Sequence, residues 1–71
     1  MQIQVNGEAR EVDDGLSVSA LVAELELRAD QIAVELNREV LRRSAWEATA
    51  LKSGDRVEMV HFVGGGCERK L

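Results

Sequence analysis

Apolar and polar residues alternate over the first six positions, with Met1, Ile3 and Val5 on one side and Gln2, Gln4 and Asn6 on the other. A period of two marks a strand with one buried face. Asn6-Gly7 tolerates the positive φ of a tight hairpin turn. Ala9 to Val12 is the expected returning strand, closed by Asp13-Asp14-Gly15. The period then changes: Val18, Leu21, Val22 and Leu25 stand at helical spacing, which gives one apolar stripe. Ser17 supplies an N-cap hydroxyl, and Leu16 and Leu21 flank it as a hydrophobic staple. Alternation returns in Ile32, Val34 and Leu36, predicting a third strand that ends at Asn37, with a short fourth at Val40-Leu41. Ser44-Ala45-Trp46-Glu47 has the form of a capping box opening a brief helix, and Trp46 is expected in the core. After a Gly54-Asp55 turn, residues 56–63 form the last strand. Val57, Met59, His61 and Val63 share one of its faces, and Arg56, Glu58, Val60 and Phe62 the other. Neither face is cleanly polar, which suits a central strand.

Two strands, a helix, a strand, short elements and a final strand make an α+β arrangement, with one main helix laid across one face of a four- to five-stranded mixed sheet. The first and last strands are expected to pair in parallel at its centre. Residues 1–63 form the folded domain and residues 64–71 a flexible glycine-rich tail. Seventy-one residues lie near the lower size limit for a single core and leave little room for an enclosed active site.

Composition narrows the function. A net charge of −4, with no basic run longer than two residues, argues against nucleic acid. One cysteine and one histidine offer neither an internal disulfide nor a metal site. No apolar run approaches the roughly 20 residues that span a bilayer, and the first residues lack the pattern of a signal peptide. A cytoplasmic protein that is a monomer when unbound is expected.

The chemistry therefore points to the end of the chain. Gly64, Gly65 and Gly66 follow the last strand directly. Without a Cβ, such an arm can enter a channel too narrow for side chains, and a glycine carbonyl is the least hindered acyl centre a chain offers. Val60 and Phe62 are the expected apolar patch for a partner.

The chain resembles the ThiS family of ubiquitin-like sulfur carriers of thiamin biosynthesis, which have the β-grasp fold. The resemblance rests on Met1-Gln2-Ile3-Gln4-Val5-Asn6-Gly7, on Ile32-Ala33-Val34-Glu35-Leu36-Asn37, on Ser44-Ala45-Trp46, and on 54–66 with its closing glycines. It implies a carrier and not an enzyme: a protein whose terminal glycine carboxylate, here that of Gly66, is adenylated and then converted to a thiocarboxylate. It also implies the partners. A ThiF-type enzyme spends ATP on the adenylation, a persulfide-bearing enzyme donates sulfur, and a ThiG-type thiazole synthase receives it. No cofactor is expected on the carrier itself.

The family's usual chain stops at the second glycine, whereas here Cys67-Glu68-Arg69-Lys70-Leu71 follows. The Gly66 carbonyl is thus an amide and not a carboxylate. The leading expectation is a peptidase that cuts between Gly66 and Cys67. The alternatives are an extension foreign to the natural protein, and a Cys67 thiol that attacks the Gly66 carbonyl or carries a persulfide. Sulfur carriers for molybdopterin, cysteine or methionine synthesis, and a ubiquitin-like binding module that is no carrier, remain the other functions open to this sequence.

Overall fold

The computed structural model describes the backbone of residues 1–63 and 67–70 and the side chains of residues 1–61. Its strands are β1 (Gln2–Val5), β2 (Glu8–Glu11), β3 (Ile32–Leu36), β4 (Glu39–Leu41), β5 (Arg56–Val63) and β6 (Cys67–Lys70), with one helix, α1 (Val18–Glu24). Short 3₁₀ turns occupy Ala29–Gln31 and Arg43–Ala45.

β5 is the axis of the sheet. The order is β2-β1-β5-β3-β4, and β6 adds to β5. β1 and β5 run parallel, with Gln4 opposite Arg56 and Val5 opposite Val57; all other pairs are antiparallel. The expected mixed sheet with its central parallel pair is therefore present.

Packing explains the periodicities. Ile3, Ile32, Val34, Val57 and Met59 turn to one face of the sheet, where they are buried with Val18, Leu21 and Val22 of α1. Val12, Trp46 and Leu51 complete this core, and Leu16 and Leu25 pack at its margin. Each fully buried aliphatic or Met side chain contributes about 1.5–3 kcal/mol relative to exposure.

The helix starts and stops for identifiable reasons. Ser17 has an extended backbone, and its Oγ accepts the Ala20 N–H at 3.0 Å, as its predicted role as cap requires. At the other end the Glu26 N–H donates to Ala23 O and the Leu27 N–H to Val22 O, the paired bonds of a Schellman motif. Glu26 holds its left-handed position at φ 57°, where a glycine is usual.

The region around Trp46 departs from expectation. The 3₁₀ turn begins at Arg43, with Arg42 as an N-cap that makes no side-chain bond, so Ser44 lies inside the turn and does not cap it. Burial of Trp46 and the bond from its Nε1–H to Leu41 O at 3.0 Å accompany a turn that starts earlier than the capping pattern suggests, with Arg42 and not Ser44 as its N-cap. Thr49 Oγ1 then donates to Ala45 O. The returning strand β2 also starts one residue early, at Glu8, because the hairpin has a two-residue loop of Asn6 and Gly7, both at positive φ.

Candidate functional site

The site predicted from the sequence is the exit of β5, and three sets of bonds hold that strand in place. At its start the Asn37 side chain bridges two segments: its Nδ2 donates to Asp55 Oδ1 at 3.1 Å and its Oδ1 accepts the Arg56 N–H at 2.9 Å. The other carboxylate oxygen of Asp55 accepts the Lys52 N–H at 2.8 Å, which closes the Gly54 turn. In mid-strand the Asn6 Oδ1 accepts the Met59 N–H at 2.8 Å. Asn6 thus acts twice, first as the αL residue of the β1–β2 turn and then as a side-chain continuation of β1 along the edge of β5. Along the opposite edge β3 pairs with residues 57–61, with Ile32 opposite His61.

Beyond Met59 the edge of β5 that faces β1 is taken by β6, with Val60 opposite Lys70, His61 opposite Arg69, Phe62 opposite Glu68 and Val63 opposite Cys67. The sequence suggests a flexible tail over 64–71, but residues 67–70 are a strand. Their composition hides this, because Cys67-Glu68-Arg69-Lys70 has no apolar alternation and pairs through its main chain. Gly64, Gly65 and Gly66, the predicted arm and modification site, lie outside the described residues. So do the side chains of Phe62 and Cys67.

Val60 is half-buried on the face of the sheet away from α1, opposite Ala33 of β3. The neighbouring row across that face is Val40, Glu35 and Glu58. Val40 is 75% exposed, and among the described residues it is the one large apolar side chain that stands so far out. As the pattern gives only a short strand at Val40-Leu41, it does not mark Val40 as a surface residue. Burial of its neighbours on the sheet was the missing information. His61 is half-buried and Arg42 and Arg43 are exposed.

Elsewhere, clefts among the described residues include the following two. The first, of about 270 Å³, lies between the β1–β2 turn and the end of α1 and is lined by residues including Asn6, Glu8, Arg10, Leu25, Leu27 and Met59. Its described lining residues carry no thiol, hydroxyl or imidazole. The second gathers Glu11, Asp13, Asp14 and Glu24 around Met1. Here the N-terminal ammonium donates to Val12 O at 2.7 Å and pairs with Glu11 at 2.9 Å and Asp14 at 3.2 Å. The Glu11 hydrogen bond first, and that of Asp14 second, raise its pKa above the ordinary 8.0. Among the described residues no group of His, Cys, Asp and Glu could hold a metal ion, and no helix is long and apolar enough to cross a membrane.

Comparison with known proteins gives a consistent result. The model of the ThiS family matches residues 3–66. A thiazole synthase of Paramagnetospirillum magneticum is 36% identical over 69 residues, 97% of this chain but 21% of that protein. A second, from Magnetococcus marinus, is 36% identical over 66 residues. The chain thus spans about a fifth of the length of these two relatives. The sulfur carrier protein ThiS of Bacillus subtilis is 32% identical over 65 residues, which cover 90% of this chain and 98% of that one. The crystal structure of a thiamine biosynthesis protein (ThiS) from Geobacter metallireducens superposes with a TM-score of 0.83 at 45% identity, covering 93% of this chain and all of that one. In fold and in sequence from Ile3 to Gly66, the chain belongs to the ThiS family.

Proposed function

We propose that this protein is a sulfur carrier for formation of the thiazole of thiamin, and that Gly66 is the residue that carries the sulfur. The observation that carries this reading is where the family match stops: it ends at Gly66, three residues after β5. The protein is then a substrate of other enzymes and not a catalyst itself.

The proposed sequence of events begins with a peptidase that hydrolyses the Gly66–Cys67 bond and frees a carboxylate. A ThiF-type enzyme joins that carboxylate to the AMP portion of ATP, releasing pyrophosphate. A carboxylate is a poor electrophile, and the mixed anhydride supplies a leaving group. A persulfide sulfur then attacks the Gly66 carbonyl and AMP departs. A thiolate then attacks the donor enzyme's sulfur in the acyl-bound S–S bond, forming a disulfide with that enzyme as the Gly66 thiocarboxylate leaves. A ThiG-type thiazole synthase accepts the sulfur, a partnership supported by the two relatives of that name that contain a stretch similar to this chain. All of these steps belong to the cytoplasm, where thiols stay reduced.

Mass spectrometry tests the proposal. A chain ending at Gly66, incubated with ATP, the activating enzyme and a persulfide donor, should exchange one oxygen for sulfur at Gly66. The intact chain should not, unless a peptidase is supplied. Sulfur on the intact chain would refute the cleavage step, and no exchange in the trimmed chain would refute the carrier reading.

A further inference from the structure

β5 has three strand partners but two edges. β3 pairs with residues 57–61 along one edge. β1 overlaps that stretch at Val57 and β6 at Val60 and His61, so β1 and β6 share the other edge, in line with each other. The hydrogen bonds fix its polarity: the Gln4 N–H donates to Asp55 O and the Asn6 N–H to Val57 O, each at 2.9 Å, while the Met59 N–H donates to Asn6 Oδ1. Residues 55, 57 and 59 therefore turn main-chain groups toward β1. The period of two carries His61 and Val63 to the same side, where Arg69 and Cys67 stand opposite. On the β3 side, Arg56 O accepts the Asn37 N–H, in agreement with this alternation.

We propose that the edge of β5 from Val60 to Val63 is a strand-acceptor site, which Cys67–Lys70 fills as a placeholder. An enzyme that takes up the freed tail docks an extended segment there as an antiparallel strand. The inference rests on the reading that residues 67–71 are removed before the carrier is used. The ladder of β1 with β5 includes Gln4 and Val5 before the chain turns at Asn6-Gly7, and the Asn6 Oδ1 carries that cover on to Met59. Once β6 is gone, the N–H and C=O groups of His61 and Val63 lack partners on an exposed edge, the condition under which a sheet recruits another strand. The segment now in place holds the edge by main-chain pairing, with Val60 opposite Lys70 and Val63 opposite Cys67. The partner segment is accordingly defined by extended conformation and antiparallel direction.

Amide hydrogen exchange measured by NMR tests this on the intact chain and on a chain ending at Gly66. In the intact chain the His61 and Val63 amides should exchange slowly. Trimming should speed both by about tenfold or more, with Met59, held by Asn6, and Val60, which faces β3, unchanged. Within the intact chain Arg69→Pro should expose the His61 carbonyl's side of the ladder and speed exchange at His61. Glu68→Pro, whose N–H points away from β5, should do so far less. The synthetic peptide Gly-Gly-Gly-Cys-Glu-Arg-Lys-Leu, added to the trimmed chain at concentrations on the order of millimolar, should restore protection and shift resonances of 60–63. Equal exchange in the intact and trimmed chains would overturn the placeholder, and a peptide that perturbs no resonance of 60–63 would overturn the acceptor. Neither result bears on thiocarboxylate formation at Gly66, which the mass measurement reads separately.

Discussion

Replacing Asn6 should separate its two roles. The Asn6 Oδ1 accepts the N–H of Met59 at 2.8 Å, and Met59 is fully buried. In Asn6→Ala that N–H loses its partner, at a cost of about 1–3 kcal/mol. Alanine at φ 51° adds about 1 kcal/mol of left-handed strain, for a total near 3 kcal/mol. Asn6→Gly relieves the strain but not the lost bond and should fall about 1 kcal/mol short of the alanine variant. Asn6→Asp keeps an acceptor and a residue tolerant of this φ, so it should cost less than about 1 kcal/mol. For a domain of this size the urea dependence is about 1 kcal/mol per molar. The alanine variant should therefore unfold at a urea concentration about 2–3 M lower, with glycine between it and aspartate. Exchange at the Met59 amide should accelerate in the alanine and glycine variants and stay slow in the aspartate one. Equal midpoints for alanine and aspartate would refute the assignment of Asn6 as the brace of β5.

Three further outcomes follow from single features. Glu26→Gly and Arg38→Gly place the residue suited to φ 57° and φ 71° and should each raise the urea midpoint, by about 0.5–1 kcal/mol in stability; a loss at both positions would contradict the strain. Trp46→Phe removes the bond to Leu41 O while keeping most of the buried ring, and denaturation should show a loss of about 1–2 kcal/mol. The ammonium of Met1 has a pKa raised in the folded state by Glu11 and then Asp14, so its stabilisation is complete below its ordinary value of 8.0 and is lost as pH rises through the higher folded value. Urea midpoints taken from neutral pH to about pH 10 should fall more in this chain than in one with an acetylated terminus, and parallel curves would argue against the pairing.

Features that depend on local chemistry were legible in the chain. Asn6-Gly7 announced its hairpin, Ser17 its cap, and the alternation of Val57 and Met59 a central strand, because each signal comes from residues that also adopt the conformation most easily. The missed features are those where the conformation runs against the residue. Glu26 ends α1 and Arg38 completes the β3–β4 turn, both at positive φ, held there by packing of the flanking elements. The capping pattern at Ser44 was overridden by the burial of Trp46. β6 was invisible for a different reason: its pairing depends on an edge left vacant by β1, a property of the assembled sheet and not of residues 67–70. The role proposed for Gly66 rests on its run of glycines and on the family match that ends there, whereas the strand that follows was not legible in the residues.

The parallel contact of β1 with β5 joins the two ends of the domain's sequence. Such pairing closes nearly the longest loop available and slows folding. On the ribosome, β1, α1 and β3 emerge without the strand that binds them into one body, so the core cannot close until β5 is free of the exit tunnel. The glycines are synthesised directly after it. A nascent chain thus gains a stable body at almost the moment residues 64–66 are made, and any product that terminates within β5 should lack that body and be degraded.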